Sequence, residues 1–519
     1  MGTETPVRDD GAPALARPAA KTYTCGTLTY TKSGLAMLFF WLIWGDVCFT
    51  LFESVTDPIM KLKFKEMGAM NWEIALILGM IPTTLYSFLN PVISFKSDRY
   101  RSRWGRRIPF ILGSMPFLVL SKVGLAYGAE LGMWVYRQLP AGSVAPNRVV
   151  MWTYGGLIIM HVLCNTFVTT TFWYLFRDIV PEQLLARFMS WFRVVGTVTM
   201  ALYNFFIFQY VGTHATAIFL GVAVVYLLGF GLMCLNVREG TYAPPPPYVG
   251  KGTGPIAMIK TYGKECHSHR IYWDLWLCTF IGSVGAGVAT YDLYFKQAIG
   301  LDLKQIGRLA GITSVAMAIL VLGVGWMADR YHPIRVLMAA RILSWFTVIP
   351  ASMTWIFWHP SREAVWTFHL PWLAHVPWLG QWAVFEIQQV FLISLLIYVG
   401  VATPAAALNT MWDPVMLMRI FPQSRLGQFC STNAIWRSVG GMVGGMLAGL
   451  YFDAITPWIG KDRAYFYGPL WSTAFAIPSF WLFVRFYRGW KRHGGDEYVA
   501  PVPGEEVLLA ERAVEEAAV

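Results

Sequence analysis

Two short basic turns, each placed between long apolar segments, most constrain the fold of this chain. The first is DRYRSRWGRR, residues 98–107, and the second is DRYHPIR, residues 329–335. A second pair of strings, DIVPEQLLARF around Pro181 and IFPQSRLGQF around Pro422, repeats at nearly the same offset. The sequence therefore contains an internal duplication. Membrane proteins made of two similar halves usually place their working site between them, so the duplication predicts a transporter.

The composition predicts a membrane protein independently of any motif. Hydrophobic residues make up 56% of the 519 residues and charged residues only 14%, which is too apolar for an ordinary soluble protein. Apolar stretches of membrane-spanning length follow one another along the chain. We predict an all-α membrane protein with twelve transmembrane helices, at residues 34–56, 72–95, 108–129, 148–176, 188–212, 214–236, 272–295, 305–328, 335–358, 383–412, 427–451 and 466–487.

The polar stretches between these spans divide the chain into two six-helix bundles. The bundles cover residues 34–236 and 272–490, and the linker, residues 237–271, contains a run of four prolines. Residues 1–33, rich in Ala, Pro and Thr, predict a disordered tail, and residues 491–519 predict an acidic, solvated tail.

The distribution of Lys and Arg predicts the orientation in the membrane. Arginines concentrate in the loops after even-numbered spans, beginning with residues 98–107, so we expect both termini to be cytoplasmic in a multi-pass protein of the cell (inner) membrane. One loop argues the other way, because Lys61, Lys63 and Lys65 follow span 1. The net charge of +11 is thus mostly topological and gives no reason to expect a nucleic-acid partner. We expect a monomer in the lipid bilayer.

The first basic turn resembles the loop between helices 2 and 3 of the major facilitator superfamily. Its extended form is similar to the glycoside and sucrose cation symporter branch, on the strength of Arg103, Gly105, Arg106, Arg107 and Pro109. The second copy, GWMADRYHPIR, has the expected Gly325 four residues before Asp329, whereas the first copy has Ser94 there. The resemblance covers residues 34–490 and implies two pseudo-symmetric halves that alternate around one site.

The two turns are candidate gates between the halves. Asp98 and Asp329 end a span at the membrane face, where a carboxylate can accept hydrogen bonds from the first N–H groups of a neighbouring helix and pair with arginine. The candidate gate residues are Asp98, Arg99, Gly105, Arg106, Asp329 and Arg330. The alternative is a solvated charge run that fixes topology, which is our interpretation of Lys96 and Arg101.

Span 1 carries charged residues that predict an ion-coupling site. Asp46, Thr50, Glu53 and Asp57 follow one another at steps of four, three and four and therefore share one stripe of the helix. A charge at the bilayer centre costs about 2.5–3.5 kcal/mol on insertion scales, so it normally faces a polar cavity or a partner. Hydration near the membrane face explains Asp57; we assign Asp46 and Glu53 to ion coupling.

Span 4 shows a similar row of His161, Asn165 and Thr169, each four residues after the last. Packing and function both remain open for His161. In the sucrose and glycoside symporters an acid of this helix is associated with cation coupling, and the resemblance places His161 near its position. Because an imidazole is a poor ligand for a hard cation, the substitution favours H⁺ over Na⁺.

Four further residues complete the candidate substrate site with Asn165. Arg193 and Asn204 share a face of span 5, and a planar guanidinium suits pairs of sugar hydroxyls. Trp44 and Trp173 can offer a flat face to a sugar ring. The alternative for Arg193 is a structural salt bridge. Its counterpart Arg437 is interpreted as structural, because the string GGMVGG that follows it is typical of close helix packing.

Motifs for other chemistry are absent from the sequence. It contains no P-loop, no HExxH, no GxSxG and no CxxC, so we expect neither an enzyme nor a cofactor or metal site. The expected function is proton-coupled symport of a sugar or glycoside. An exporter or uncoupled facilitator of another small solute, and a non-transporting sensor or membrane enzyme on the same scaffold, remain open alternatives.

Overall fold

The structure is a computed structural model of the chain. It describes residues 23–140, 142, 144–242, 263, 266–358, 361, 363–369, 384–412, 415–422 and 426–501. Most of each predicted tail, namely residues 1–22 of 1–33 and residues 502–519 of 491–519, and most of the predicted linker lie outside these residues.

The first half contains six long helical segments. Breaks within segments fall at Val55 and at Tyr127. The segments are α1 (Lys32–Glu66), α2 (Asn71–Arg99), α3 (Ile108–Ala126, continued by Gly128–Arg137), α4 (Pro146–Ile179), α5 (Glu182–Tyr210) and α6 (Ala215–Asn236).

The second half repeats this arrangement after the linker. Its segments are α7 (Arg270–Ala298), α8 (Leu303–Arg330), α9 (Pro333–Phe357), α10 (Gln389–Asn409), α11 (Leu426–Ile459) and α12 (Gly468–Arg492). A short helix, Val415–Ile420, lies between α10 and α11.

Eleven helices in the described part of the chain are long and apolar enough to cross a membrane, namely α1 to α11. The remaining segment, α12, is 25 residues long and packs against α7. The predicted helical membrane protein is therefore confirmed, whereas the exact number of twelve crossings stays a prediction.

Two β-hairpins within the described residues depart from the predicted all-α fold. Strands β1 (Tyr23–Cys25) and β2 (Leu28–Tyr30) pair antiparallel in the stretch for which we predicted a disordered tail. Strands β3 (Val365–His369) and β4 (Val384–Gln388) also pair, so the first residues of predicted span 10 form a strand and α10 begins only at Gln389. Runs of β-branched and aromatic residues explain both hairpins, because such residues fit a pleated surface.

The N-terminal hairpin is held against the end of α4. The Tyr30 hydroxyl donates to the Ile179 carbonyl at 3.1 Å, and the Cys25 thiol lies 3.5 Å from the Asp178 carbonyl. Arg335, at the start of α9, pairs with Asp496 near the end of the described chain. We call this side of the molecule, with both ends of the described chain and both basic turns, the terminal face, and the other side the opposite face.

Small residues let helices of the second half approach closely, as the GGMVGG string predicted. A Cβ atom at Gly440 would lie 2.6 Å from the Phe280 carbonyl oxygen, and one at Gly444 would lie 2.5 Å from that of Val284. Gly287 of α7 approaches the backbone of Gly444 in the same way. Because these contacts leave no room for side chains, α7 and α11 pack backbone to backbone.

The two halves meet at the opposite face. Gly307 of α8 lies against the Asn204 carbonyl of α5, and a Cβ at Gly311 would lie 2.6 Å from the Phe205 ring. The start of α2 packs against the end of α11, where a Cβ at Gly449 would lie 2.8 Å from the backbone of Trp72. These close contacts bring the halves together at that face.

The lysines that opposed the predicted orientation have partners within the protein. Lys61 pairs with Asp57 at 2.8 Å, and Lys65 lies 3.7 Å from Asp462. The Lys65 ammonium also lies 5.0 Å from the centre of the Tyr294 ring. Their charges are therefore partly balanced locally. This explains why these lysines depart from the positive-inside rule, which counts loop charges alone.

Candidate functional site

The polar row of α1 faces two adjoining cavities between the helices of the first half and α8. Asp46 and Thr50 line both cavities, which have volumes of about 450 and 470 Å³. Glu53 lines the first, and Ser314 of α8 lines the second. A cavity that draws its walls from both halves matches the predicted position of a transport site.

Asp46 is buried at the wall of these cavities, with 4% of its surface exposed. The Thr50 hydroxyl donates to its Oδ1 atom at 3.4 Å. Its Oδ2 atom accepts no hydrogen bond within the described part of the chain and lies 3.1 Å from the position that a Cβ atom at Gly196 would occupy. A buried carboxylate oxygen without a partner is an available acceptor for a proton or a hydroxyl group.

The polar row of α4 faces α1. The Asn165 side chain is a hydrogen-bonding neighbour of the Glu53 carboxylate. His161 is buried, its Nδ1 atom lies 2.9 Å from the Ser121 hydroxyl, and its ring lies 5.7 Å from that of Phe52. The two rows therefore form one polar layer inside the first half.

Lys122 of α3 belongs to the same layer and was missed in the sequence analysis. Its side chain is fully buried, its ammonium donates to the Thr56 hydroxyl, and it lies 4.2 Å from the centre of the Phe52 ring. Electrostatic attraction acts between this ammonium and Glu53. A lysine deep within an apolar span was the available signal.

Arg193 and Trp173 line the cavities, as expected for substrate-binding residues. Both border the larger cavity together with Asp46, and 46% of the Trp173 surface is exposed. Trp173 is held edge-on against the Phe176 and Phe192 rings, at centroid distances of 5.9 and 5.4 Å. A fixed indole face next to a guanidinium can stack on a sugar ring and donate to its hydroxyls.

Two predicted substrate-binding residues lie elsewhere. Trp44 packs against Gly229 of α6, on the other side of α1 from Asp46, because two residues along a helix correspond to a turn of about 200°. Asn204 is buried where α5 contacts Gly307 of α8. Neither is among the residues that line these two cavities, so their assignment to the substrate site stays a prediction.

The second half contains a separate cavity of about 370 Å³ with mostly apolar walls. Its polar end is Asp292, which pairs with Lys296 at 2.6 Å and accepts a hydrogen bond from the Tyr398 hydroxyl at 3.0 Å. These groups satisfy one another, so the cavity offers little polar chemistry compared with the layer around Asp46 and Glu53.

The first basic turn forms an ion-pair cluster at the terminal face. Arg107 pairs with Asp98, and its Nε atom donates to Asp178 of α4 at 3.0 Å. Arg106 donates to the same Asp178 carboxylate at 2.9 Å. These partners all belong to the first half, and 55% of the Asp98 side chain is exposed. In this conformation Asp98 therefore pairs within the first half, whereas we had expected it to contact a helix of the other half.

Glu239, just after α6, takes the role that we had expected of Asp98. Its carboxylate accepts hydrogen bonds from the backbone N–H groups of Arg106, Arg107 and Ile108, at 2.9, 2.8 and 2.7 Å. It thereby satisfies the N-terminus of α3, where an anion is also favoured by the helix dipole. A lone glutamate in a basic stretch after span 6 was the signal for it. We call Asp98, Arg106, Arg107, Asp178 and Glu239 the terminal-face cluster.

Gly105 and Tyr242 complete the surroundings of Glu239. Gly105 has a φ of +102°, and a Cβ atom there would meet the Glu239 side chain. The Tyr242 hydroxyl donates to Glu239 at 3.1 Å, and its ring lies 4.2 Å from the Arg106 guanidinium. Burial, and then the neighbouring Glu239 carboxylate, raise the pKa of Tyr242. The tyrosine therefore stays a neutral donor.

The second basic turn is described less completely. The side chain of Asp329 lies outside the described residues. Arg330 ends α8, with its guanidinium 5.4 Å from the centre of the Trp326 ring, and Arg99 ends α2. Their gating roles stay predictions.

An unpredicted contact closes the opposite face. The Asp453 carboxylate of α11 accepts hydrogen bonds from the backbone N–H groups of Asn71 and Trp72, both at 3.1 Å, and from the Asn71 amide at 2.8 Å. The Tyr291 hydroxyl donates to the Asn71 carbonyl at 3.0 Å, and the Tyr465 hydroxyl to its side chain at 2.7 Å. We call these five residues the opposite-face lock.

Two similar six-helix halves that enclose a charged cavity and meet at one face define a secondary transporter. A family model described as MFS/sugar transport protein matches residues 65–370, more than half of the chain. The chain belongs to this family.

Solved structures of other transporters share the fold. A D-xylose-proton symporter is 13% identical, with a TM-score of 0.56 over 85% of this chain and 97% of that one. The inward open xylose transporter XylE from E. coli is 14% identical, with a TM-score of 0.53 over 85% and 95%. The nucleoside transporter NupG is 9% identical, with a TM-score of 0.53 over 86% and 99%. At these identities the likeness concerns the fold alone.

Proposed function

We propose that this protein is a proton-coupled symporter of a sugar or glycoside, with both termini in the cytoplasm. The observation that carries the proposal is the cavity that joins Asp46, Trp173 and Arg193. It combines a buried carboxylate oxygen that has no hydrogen-bond partner among the described residues, an aromatic face and a guanidinium fork within one space. The D-xylose-proton symporter and the xylose transporter XylE are precedents for sugar transport on the same fold, and the first is also a precedent for proton coupling.

In this proposal the sugar stacks on Trp173. Its hydroxyl groups accept hydrogen bonds from Arg193 and donate hydrogen bonds to Asp46. The Asp46 carboxylate takes the coupling proton when the cavity faces the proton-rich side. The polar layer of Glu53 and His161 lies one to two helical turns from Asp46 along α1, and it completes the proton site. Release follows when the halves close at one face and separate at the other.

The terminal-face cluster and the opposite-face lock are the two gates in this cycle. The lock joins α11 to α2 at the opposite face, while the cluster is paired within the first half. We assign this conformation to the state in which the site opens toward the cytoplasm. In the opposite state the lock separates. The halves are then held together at the terminal face by the candidate gate residues Asp98, Arg99, Gly105, Arg106, Asp329 and Arg330.

The direct test is uptake of radiolabelled sugars by vesicles that contain the purified protein. We expect accumulation of at least one mono- or disaccharide under an imposed inward proton gradient, and loss of accumulation when a protonophore collapses it. Uptake that is equal with and without the gradient would indicate a facilitator. Transport of none of the sugars would contradict the sugar assignment.

Asp46→Asn tests the coupling residue in the same vesicles. We expect the variant to lose accumulation against a gradient and to retain exchange of labelled for unlabelled sugar, because an amide cannot carry the proton. Asp57→Asn is the matched control on the same helix stripe, since Asp57 pairs with Lys61. Undiminished proton-driven uptake in Asp46→Asn would remove Asp46 from the mechanism.

A further inference from the structure

The proposed function gives no role to Lys122, a buried charge in the first half. Lys122 of α3 has no exposed surface, and its ammonium lies between the side chains of Phe52 and Thr56 of α1. Glu53 occupies the position between these two residues in the sequence and lines the cavity. The ammonium therefore lies against the turn of α1 that carries Glu53.

The groups around this ammonium come from every neighbouring helix. From α1, Glu53 attracts it and Thr56 accepts its hydrogen bond. From α4, His161 faces it, and a positive charge on that ring would be repelled. From α6, the Phe219 ring centre lies 5.7 Å away. Glu53 is thus the acidic group of this layer that balances the charge of Lys122.

The oxygen atoms near Glu53 resemble an incomplete cation site. Hard cations such as Na⁺ require several oxygen ligands, including carboxylate and amide oxygens. The Oδ1 atom of Asn165 is buried beside Glu53 and accepts no hydrogen bond within the described residues. The Thr56 hydroxyl is also there, but it is bonded to Lys122.

We propose that Lys122 is a tethered ammonium that takes the place of a metal cation beside Glu53, so that the coupling site excludes Na⁺ and Li⁺. The inference rests on the proposed function in that it names the ion selectivity of the same polar layer. The ammonium excludes a metal ion in two ways: it repels a second positive charge, and it binds an oxygen that the metal would need.

The experiment measures cation binding directly, through the melting temperature of the purified full-length protein. NaCl or LiCl is titrated against choline chloride at constant ionic strength, so that a difference reports specific binding. We expect no Na⁺-specific shift for the unmodified protein. Lys122→Met should show a saturable, Na⁺-specific rise of about 2 °C or more, because the oxygens of Glu53, Asn165 and Thr56 become available.

Two variants serve as controls for this gain. Lys122→Arg keeps the positive charge and should remain insensitive to Na⁺. The double variant Lys122→Met with Glu53→Gln lacks both charges and should lose the gained response. A Na⁺ response of the unmodified protein, the absence of one in Lys122→Met, or its persistence in the double variant would each overturn the proposal.

A second measurement applies if Lys122→Met alone does not fold. Lys122→Met removes the positive charge that attracts Glu53 and leaves this carboxylate uncompensated at the cavity, which destabilises the protein. The double variant with Glu53→Gln should then restore expression and melting temperature, and a double variant that is no better than Lys122→Met would overturn the pairing. None of these measurements uses a sugar or a proton gradient, so a failed uptake experiment and a failed cation experiment can be told apart.

Discussion

Asp453 of the second half caps the helix that Asn71 of the first half begins. Its carboxylate accepts both the backbone N–H and the side-chain amide of Asn71, and also the backbone N–H of Trp72. An anion at a helix N-terminus satisfies unpaired donors and interacts favourably with the helix dipole. The contact therefore stabilises closure of the halves at the opposite face specifically, because it disappears when α2 and α11 separate.

Asp453→Asn should weaken this closure. The amide keeps the size of the side chain, but it lacks the charge and cannot offer two acceptor oxygens to the three donors. We expect a larger population of molecules with a separated opposite face. Electron–electron distance measurements between spin labels at Glu66 and Lys461, in a background without native cysteines, should show a longer component.

Asp462→Asn is the control for that experiment. Asp462 lies on the same face, but its side chain is 68% exposed and contacts Lys65 only at 3.7 Å, so its removal should leave the distances unchanged. A distance distribution in Asp453→Asn that matches the unmodified protein would show that the cap does not bias the equilibrium.

Gly105→Ala should destabilise the terminal-face cluster. A residue with a side chain is strained at a φ of +102°, by about 1–2 kcal/mol, and its Cβ would also meet the Glu239 side chain. Glu239 would have to move away from the N-terminus of α3. We expect a lower melting temperature and reduced yield of the purified protein.

Gly460→Ala separates the two causes of this loss. Gly460 has a φ of +94°, but a Cβ atom there would meet nothing within 4 Å. The control therefore carries the backbone strain without the steric contact. If Gly105→Ala were no more destabilising than Gly460→Ala, the packing of Gly105 against Glu239 would be unimportant.

His332 connects the second basic turn to pH. It precedes α9, its Nδ1 atom accepts from the backbone N–H of Ile334 at 3.4 Å, and its ring lies 4.6 Å from that of Trp490. Burial lowers its pKa below the usual value of 6.5, and the nearby Arg419 lowers it further. The folded protein therefore binds this proton less readily than the unfolded chain.

The sign of the pH effect follows from that difference. The contribution of His332 to stability is fully present above about pH 6.5, the unfolded value, and is lost as the pH falls toward the lowered folded value. His332→Asn retains a capping side chain but does not titrate. Its melting temperature should fall less between pH 7 and pH 5 than that of the unmodified protein; equal slopes would contradict the role of His332.

The large-scale organisation could be predicted from the sequence because it depends on patterns that the bilayer imposes. Apolar length gave the helices, and the duplicated turn gave the two halves. Contacts between halves could not be predicted, since they depend on which end of each helix meets the other half. The pairing of Asp453 with Asn71 joins residues far apart in the sequence, and no local pattern marks it.

In the candidate site, too, the features that follow a local sequence pattern could be predicted and the others could not. The spacing of Asp46 and Glu53 placed both on one helix stripe, and the structure puts that stripe at a cavity. The assignment of Trp44 rested on nearness in sequence to Asp46, whereas helix geometry turns the two side chains apart, so it stays a prediction. Lys122 was missed because it stands alone in its span, whereas the candidate sites were identified from rows of polar residues on one helix face.

Arg193→Lys decides between a substrate-binding and a structural role for the arginine in the cavity. Lysine keeps the charge but replaces the planar fork with a point donor, so a residue that binds paired hydroxyls should lose affinity about tenfold or more. Binding of the sugar identified by uptake and the melting temperature are measured on the same purified variant. A residue that only holds the helices together would show the reverse, with near-normal affinity and a lower melting temperature.

Arg187→Lys is the matched control for Arg193→Lys. Arg187 lies on the same helix α5 and is exposed, but it is not among the residues that line the larger cavity. The same chemical change there should leave both affinity and melting temperature close to normal. If both substitutions reduced affinity equally, the loss would come from the charge environment of α5 as a whole, and the direct contact of Arg193 with the sugar would be wrong.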